Sequence, residues 1–519
     1  MEQWYIYKKK ADFAGIGEKY QIDPVIARLI RNRDVISDEE IHSYLYGTMK
    51  DVSDPLLLKG AKETAEILEK KIREEKKIRI ISDYDVDGVM SNYILWKALT
   101  DLGGIVDFTI PNRMKDGYGI NQSLVSRAVK DGIDTIITCD NGISAGEAVK
   151  YGREQGLTMI VTDHHEVPFE ELPDGTRREI LPEAHVVVDP KQKECHYPYP
   201  LLCGAGVAFQ LMRALYRDLG KKEESLENLL PFLAVATICD VVDLTGENRI
   251  FVKEGLSRIH ETGNTGFQAL LKVHELDQKK IASYDCGFVI GPCINASGRL
   301  DTAEKVMGLF LERDPVKAEA VASELKELNE ERKRMTEEGV AQGIEQAQLC
   351  MDKGDKVLVV YLPECHESVA GIIAGRIKDR LHHPVFVLTD SEDGKKGSGR
   401  SIETYSMFEE MMKIKDVFTK FGGHTMAAGC SLEDGRLDEF RERINRQCTL
   451  TEKDFIDKVH IDADMPVDYI TMDLIRQMSV LEPFGKGNTK PLFAHRKLKV
   501  ERVRVFGKGK NVIKLALKS

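Results

Sequence analysis

The chain has 519 residues, 42% of them hydrophobic, and a formal net charge of −11. At roughly 150 residues per domain, that length calls for three or four cores. No apolar run reaches the roughly 20 residues that cross a bilayer, and an acidic balance argues against a uniformly basic nucleic-acid-binding surface. Ten cysteines stand without a CxxC pair, and Met1-Glu2-Gln3-Trp4-Tyr5 lacks the basic and apolar regions of an export signal. Both features point to reduced thiols in the cytoplasm.

Residues 1–50 read as a helical preface, with Ser37-Asp38-Glu39-Glu40 as a helix N-terminus. From Lys59 to Lys76 a charged amphipathic helix precedes the first strand. Strands are then expected at 78–82, 105–110, 134–139, 157–162 and 185–188, with helices at 88–102, 121–131 and 144–155 between them. Such alternation implies βαβ units and a parallel sheet, so the fold class is α/β. Helical stretches follow at 203–219 and 226–240. From Pro315 to about Leu349 runs a charged helix whose apolar positions (Val321, Leu325, Leu328) form one stripe, a candidate connector. A second β-α-β pattern covers about 356–448, and short β-prone runs with Gly and Pro breaks follow from about Phe455.

Three strand ends carry hard-metal ligands: Asp83-Tyr84-Asp85-Val86-Asp87-Gly88, Asp140-Asn141-Gly142 and Asp163-His164-His165. In a parallel sheet these ends gather at one edge, where open α/β sheets bind ligands. Oxygen-rich sites with one or two histidines suit Mn²⁺ or Mg²⁺. Three carboxylates this close repel one another unless a cation compensates them. Gly88 is expected to let the loop pass close to a bound ion. Asp140-Asn141-Gly142 also reads as a plain Asx turn, whereas adjacent histidines at a strand end are poorly explained by packing.

In order and spacing these motifs resemble motifs I to III of the DHH phosphoesterase superfamily. Leu202-Cys203-Gly204-Ala205-Gly206-Val207-Ala208, Asp240-Val241-Val242, Asn295-Ala296-Ser297-Gly298-Arg299-Leu300 and Gly397-Ser398-Gly399-Arg400-Ser401 resemble its bacterial single-strand exonuclease branch. Phe421-Gly422-Gly423-His424-Thr425-Met426-Ala427-Ala428-Gly429 resembles the DHHA1 signature. The resemblance runs from about residue 50 to the C-terminus. It implies a DHH domain at 51–300, a connector helix at 301–350, a smaller α/β DHHA1 domain at 351–450 and an OB-type β domain at 451–519.

The resemblance further implies metal ligation by Asp83, Asp85, Asp87, Asp140, His164 and Asp240, with Asp140 bridging if two ions bind. His165 would touch the scissile phosphate, and Asp163 would orient a histidine. The ions would activate water for in-line attack and neutralise charge on the phosphoryl oxygens, so no protein nucleophile is required. Arg113, Arg299, Ser398 and Arg400 would grip a terminal 5′-phosphate, with Arg299 and Arg400 in Gly-flanked loops. His424 would contact a phosphate. Three departures stand out. Many relatives carry His where this chain has Ile81, a gap that Asp83 is expected to fill. Asp243 replaces a usual Pro and reads as a solvated turn residue. Cys365 and Ser368 replace a usual Trp and Gly.

The tail reverses the overall charge. Lys490, Arg496, Lys497, Lys499, Arg502, Arg504, Lys508, Lys510, Lys514 and Lys518 face only Glu501 among acids from Lys486 onward. Phe484, Phe493 and Phe506 interleave with them, a pattern suited to stacking the bases of a single strand. An OB barrel needs five strands, so this one is expected to be incomplete. With these features, the resemblance implies a single-stranded-DNA-specific 5′-to-3′ exonuclease of DNA repair and recombination. It would be a monomer with no membrane contact, with a helicase and a single-strand-binding protein as partners. Two alternatives stay open: a phosphodiesterase for short oligonucleotides or cyclic dinucleotides, and a non-catalytic DNA-binding scaffold.

Overall fold

From Lys77 onward, runs of aliphatic residues alternate with amphipathic helices, and in the computed structural model they assemble as a parallel sheet. The structure describes residues 2–113, 115–392, 394–507 and 509–518. The chain divides into two units. One comprises Ile6–Gly298, Thr302–Glu324 and His460–Ser519, and the other is built mainly from Leu325–Val459 with Arg299–Asp301.

After a short helix at Phe13–Tyr20, the first unit contains α1 (Pro24–Asn32), α2 (Asp38–Tyr46) and α3 (Ala61–Arg73). Ser37 caps α2 as its sequence predicts. The Ser37 hydroxyl accepts the Glu40 N–H at 3.1 Å, and the Glu40 carboxylate accepts the Ser37 N–H at 2.9 Å. The sheet follows as β1 (Lys77–Ser82), α4 (Val86–Asp101), β2 (Ile105–Thr109), α5 (Gln122–Lys130), β3 (Thr135–Cys139), α6 (Gly146–Glu154), β4 (Thr158–Thr162) and β5 (Val186–Val188). These bounds fall within two residues of the sequence reading.

The strands run in the order β2-β1-β3-β4-β5, all parallel. The chain moves from β1 outward to β2, then crosses back to β3 on the other side. The C-terminal ends of β1 and β3 therefore flank the crevice of a doubly wound sheet. Arg79 is a buried charge in β1, an interior strand, gripped bidentately by Asp107 at 2.8 and 2.7 Å and by Asp131 at 2.8 Å. Behind the sheet lie α7 (Gly204–Asp218), α8 (Leu230–Cys239) and α9 (Gly246–Ser257). Leu230 to Thr237 of α8 are all buried, so this helix is apolar all round because it is enclosed all round.

A π turn at Cys286–Ile290 leads into α10 (Gly291–Leu300). The expected connector is α11 (Pro315–Asp352), which carries the chain from one unit to the other. The second unit contains β6 (Leu358–Tyr361), α12 (Glu367–Leu381), β7 (Val385–Ser391), β8 (Gly394–Arg400), β9 (Lys420–Gly423), β10 (Ala427–Leu432) and α13 (Leu437–Arg446). Its sheet runs β9-β10-β8-β7-β6, with β6 and β7 parallel and the remaining pairs antiparallel. Among the described residues no helix is long and apolar enough to cross a membrane.

The two chain ends share one core in the first unit. Ile26, Leu29, Ile30, Ile41, Tyr44 and Leu45 pack with Met465, Leu474 and Leu481. Asn488 is buried among them. It accepts from Arg33 Nε at 2.7 Å and Tyr44 Oη at 2.8 Å, and donates to the carbonyls of Leu481 and Pro483 at 2.8 and 2.7 Å. Arg249 of α9 donates to the carbonyls of Tyr44, Val480 and Leu481, with its guanidinium 3.9 Å from the Tyr44 ring.

This packing corrects one expectation. Phe484 and Phe493 lie against the shared core and are not free to stack bases, whereas Phe506 is exposed. Asp243 is not a solvated turn residue either. It is half-buried, 3.5 Å from Lys486 Nζ, with its Cβ against Gly487. In the tail, β11 (Lys499–Phe506) and β12 (Val512–Lys518) form an antiparallel hairpin. The short Ala463–Asp464 and Phe493–Ala494 pair is a separate ladder among the described residues.

Candidate metal centre

Strand register builds the site. Ser82 pairs with Cys139, Thr138 with Val161 and Thr162 with Val188. One residue further on, Asp83, Asp140, Asp163 and Asp189 therefore line the same sheet edge. Asp85 caps α4, accepting the Gly88 N–H at 3.1 Å. Asp87, in the first turn of α4, accepts the N–H groups of Gly204 and Ala205 at 2.6 and 2.8 Å. Those two donors are unpaired amides at the start of α7, which favour an anion. Asp240 follows directly on α8.

Glycines permit these approaches. A Cβ at Gly204 would lie 2.7 Å from Asp140 Cβ. A Cβ at Gly88 would fall 2.3 Å from the Asp83 carbonyl oxygen, so the glycine permits close approach of the loop's own backbone. Asp140 itself adopts φ 60°, a left-handed conformation that Asp tolerates better than most residues but still at a cost. Asn141 holds the turn, donating to the Ile81 and Cys139 carbonyls at 3.1 and 2.9 Å and accepting from Ile120 N–H at 3.0 Å.

Ligand-type atoms converge in three groups, each with its members within 4.8 Å of one another: Asp83, Asp85 and Asp140; Asp87, His164 and Asp240; and Asp140, His164 and His165. His164 Nε2 lies 3.0 Å from Asp140 and 3.7 Å from both Asp87 and Asp240. Nevertheless His164 Nε2, Asp83 Oδ1 and Asp240 Oδ2 are buried without hydrogen-bond partners. Burial pushes the His164 pKa down, towards the neutral imidazole that a metal ion binds. Buried polar atoms without partners are costly, and a cation among them would supply the missing partner.

The carboxylates carry the same message. Burial, reinforced by neighbouring aspartates, raises Asp83 and Asp140 well above the usual range, raises Asp87 and pushes Asp240 up to about 8. Asp87, Asp140, His164 and Asp240, with Asp83 and Asp85, are hard oxygen donors and one imidazole, a donor set that fits Mn²⁺ or Mg²⁺. Ile81, in contrast, points into the sheet core with Ile120, Leu124 and Ile136, so the side chain at that position faces away from the ligands.

Asp163 lies beside the candidate ligands. One oxygen accepts His165 Nδ1–H at 2.7 Å and the His164 N–H at 2.8 Å, and the other accepts the Ile143 N–H at 2.9 Å. Burial alone would lower the His165 pKa, but the Asp163 hydrogen bond and charge outweigh it and hold the imidazole up at about 9. His165 is therefore a cation at neutral pH, with Nε2 3.4 Å from Tyr118 Oη. Tyr118 also donates to the Asp140 carbonyl at 3.2 Å. The Arg113 guanidinium stands 5.4 Å from the Tyr84 ring, next to the same loop.

Arg299, Ser398 and Arg400 all lie in the other unit, beside the N-terminal part of α12. Arg299 Nη1 donates to the Ser368 carbonyl at 2.6 Å. Ser398 and Arg400 share one face of β8, and a Cβ at Gly371 would lie 2.9 Å from Arg400 Nη2 and 3.5 Å from Ser398 Cβ. The expected loops are corrected here: Arg299 sits in the last turn of α10 and Arg400 ends β8, because neighbouring glycines serve packing and not turns. Gly298, for example, lies against Tyr84, where a Cβ would be 2.7 Å from its carbonyl. His424 is exposed at the tip of the β9–β10 hairpin, its N–H donating to Ala427 at 2.8 Å.

Asp189 was not among the residues singled out by sequence. It is fully buried, its Oδ1 accepts the Lys191 N–H at 2.8 Å, its Oδ2 lacks a partner, and burial raises its pKa to about 8. Val186-Val187-Val188-Asp189 repeats the strand-then-aspartate pattern of β1 and β3, and that repeat was the available signal. Tyr118 carried only its place between two glycines.

Residues 77–237 match the family model described as the DHH family N-terminal domain, residues 354–450 the DHHA1 domain and residues 461–519 the RecJ OB domain. The chain is 35% identical to the single-stranded-DNA-specific exonuclease RecJ of Escherichia coli over 497 residues, 91% of this chain and 83% of that protein. The chain belongs to the RecJ family. Its identity to the Bacillus subtilis RecJ is 36% over 523 residues, covering 100% of this chain but 64% of that protein. The chain thus spans a little under two thirds of that relative. Among solved structures, Thermus thermophilus RecJ in complex with Mn²⁺ matches with a TM-score of 0.83 at 29% identity, covering 100% of this chain and 74% of that one. The same RecJ in complex with Mg²⁺ matches at 0.76.

Proposed function

We propose that this RecJ-family chain is a divalent-metal-dependent exonuclease that degrades single-stranded DNA from its 5′ end, in repair and recombination. The observation that carries this reading is the row of buried carboxylates with unpartnered oxygens at the switch point of the sheet. Sequence similarity to exonucleases over the whole chain supports it.

In this reading Asp83, Asp85 and Asp140 would hold an ion, and Asp87, His164 and Asp240 would hold a second if two bind. Bound Mn²⁺ or Mg²⁺ brings the pKa of water towards neutrality and neutralises charge on phosphoryl oxygens. The protein's own part is orientation. Asp163 fixes the His165 ring, and the protonated imidazole presents a cation to the scissile phosphate. Arg299, Ser398 and Arg400 suit a terminal 5′-phosphate, a group only a strand end supplies, and that sets the polarity of cutting. Arg113 and His424 are further phosphate contacts. The enzyme works as a monomer in the cytoplasm, on strands opened by a helicase and covered by single-strand-binding protein.

The test is digestion of 5′- and 3′-labelled strands, long and short, beside duplex, with Mn²⁺, Mg²⁺ or chelator. Mononucleotides released from the 5′ label of long single strands are expected. Cutting confined to a few nucleotides would favour an oligonucleotide phosphodiesterase, and no cutting a scaffold.

A further inference from the structure

We propose that Tyr284 and Phe288 form a stacking platform for nucleobases of the substrate strand; this rests on the reading of the chain as a single-strand nuclease. The two rings stand four residues apart on the turns that precede α10, 66% and 67% exposed. They are already paired with each other, their centroids 4.8 Å apart and their planes 21° from parallel. Two large rings held parallel in solvent present a flat π-face, to which any base adds by stacking without sequence preference.

The opposite face of the same segment is buried and ties the platform to the candidate metal centre. Cys286, Ile290, Cys293 and Ile294 are fully buried. Cys239 Sγ lies 3.5 Å from the Cys286 carbonyl oxygen, and a Cβ at Gly291 would fall 2.4 Å from that sulfur. A Cβ at Gly287 would touch the Ile238 side chain at 3.6 Å. Asp240, a candidate ligand, is the next residue after Cys239. Phe288 is therefore less than one helical turn, roughly 5 Å along the axis, from a glycine that touches the residue before Asp240.

The π turn at Cys286–Ile290 widens the helix at this point, a distortion that recurs at functional sites. The local charge suits a strand. Lys279 and Lys280 precede the platform, and Lys280 is highly exposed while pairing with Glu482 at 2.9 Å. Of the acids nearby, Glu482 is taken up by Lys280, and Asp285 accepts the Ala282 N–H at 2.8 Å in the local turn. Continuity with the metal centre and this chemistry favour a nucleobase over an apolar protein segment as the occupant.

The experiment uses the full chain and 5′-phosphorylated oligothymidine and oligoadenosine strands. Binding is followed by fluorescence anisotropy in chelator, and KM and kcat are followed in Mn²⁺. Tyr284→Ala/Phe288→Ala is expected to weaken binding about tenfold, with the loss in kcat/KM carried by KM, and Phe288→Trp to retain wild-type affinity. Strands with one abasic site moved along them should bind the wild type poorly at one or two positions. That dip should vanish in the double variant. Wild-type affinity with an unchanged abasic profile in the double variant would overturn the platform, and would be the result if the rings serve a protein. A wild type that binds strands through the rings yet cuts none in Mn²⁺ would uphold the platform and sink the nuclease reading.

Discussion

The main-chain N–H of Gly204 donates to Oδ2 of Asp87 at 2.6 Å, joining residues 117 positions apart. The start of α7 thus fixes a carboxylate from the start of α4, and no side chain could replace the hydrogen at residue 204. A Cβ there would lie 2.7 Å from Asp140 Cβ, a distance at which backbone must move. Gly204→Ala is expected to destabilise the protein by about 1–3 kcal/mol and to weaken Mn²⁺ binding at least tenfold. Denaturant unfolding and calorimetric titration with Mn²⁺ measure the two. Wild-type Mn²⁺ affinity in this variant would contradict the placement of Asp87 and Asp140 in one centre.

Metal-free protein should lose stability as pH rises. Asp240 has a folded pKa of about 8 against an ordinary carboxylate value of about 4, and Asp83, Asp87 and Asp140 are shifted in the same direction. Between about pH 4 and 8 the native state therefore binds more protons than the unfolded chain, so unfolding free energy falls across that window. Bound ions remove the penalty by holding the carboxylates ionised. The expected outcome is a Tm in chelator that drops from pH 5 to 8, and a stabilisation by Mn²⁺ that is larger at pH 8. A flat profile in chelator would count against a metal-starved acidic cluster.

Removing one charge from that cluster separates stability from chemistry. Asp140→Ala is expected to abolish hydrolysis while leaving the fold intact, and to raise the Tm in chelator at pH 8 relative to wild type. Undiminished turnover with Mn²⁺ would refute the proposed role of Asp140 in the centre.

Arg299 shares its neighbourhood with Ser398 and Arg400 through Ser368 and Gly371. Arg299→Ala should mainly impair use of 5′-phosphorylated strands, by about tenfold to a hundredfold in kcat/KM, the scale of a charge-assisted pair lost. Paired assays with 5′-phosphate and 5′-hydroxyl strands check this. If the variant discriminates between the two ends as the wild type does, the pocket assignment fails.

Asn488 links the chain ends. Three of its four side-chain hydrogen bonds are buried and the fourth, from Arg33, is part-buried. Asn488→Ala therefore removes the acceptor of Arg33 Nε and Tyr44 Oη and one donor to each of the Leu481 and Pro483 carbonyls, which keep Arg249 as a second donor. A loss of about 2–4 kcal/mol is expected, with limited proteolysis cutting first near α1 and α2. Proteolysis that starts elsewhere, with stability unchanged, would show that the shared core holds without this residue.

Local chemistry alone made much of the protein legible. Aliphatic runs alternating with amphipathic helices yielded β1 to β5 and their connections, because burial on both faces writes itself into composition. Asp83, Asp85, Asp87, Asp140, Asp163, His164 and His165 announced themselves as clustered charges that nothing but a ligand or a solvated turn explains. What local chemistry does not encode is which distant groups meet. Gly204 and Ala205 stand in a motif that carries only a resemblance; α7 alone aims their amides at Asp87. Phe484 and Phe493 looked like stacking residues until the first fifty residues were seen to cover them. Ile81 stood where a ligand was expected, but its side chain faces the core because alternation along β1 turns it there. Tyr284 and Phe288 gave no periodic signal, since exposure depends on what the rest of the chain leaves uncovered. Contacts across hundreds of positions are set by packing, and packing is a property of the folded whole.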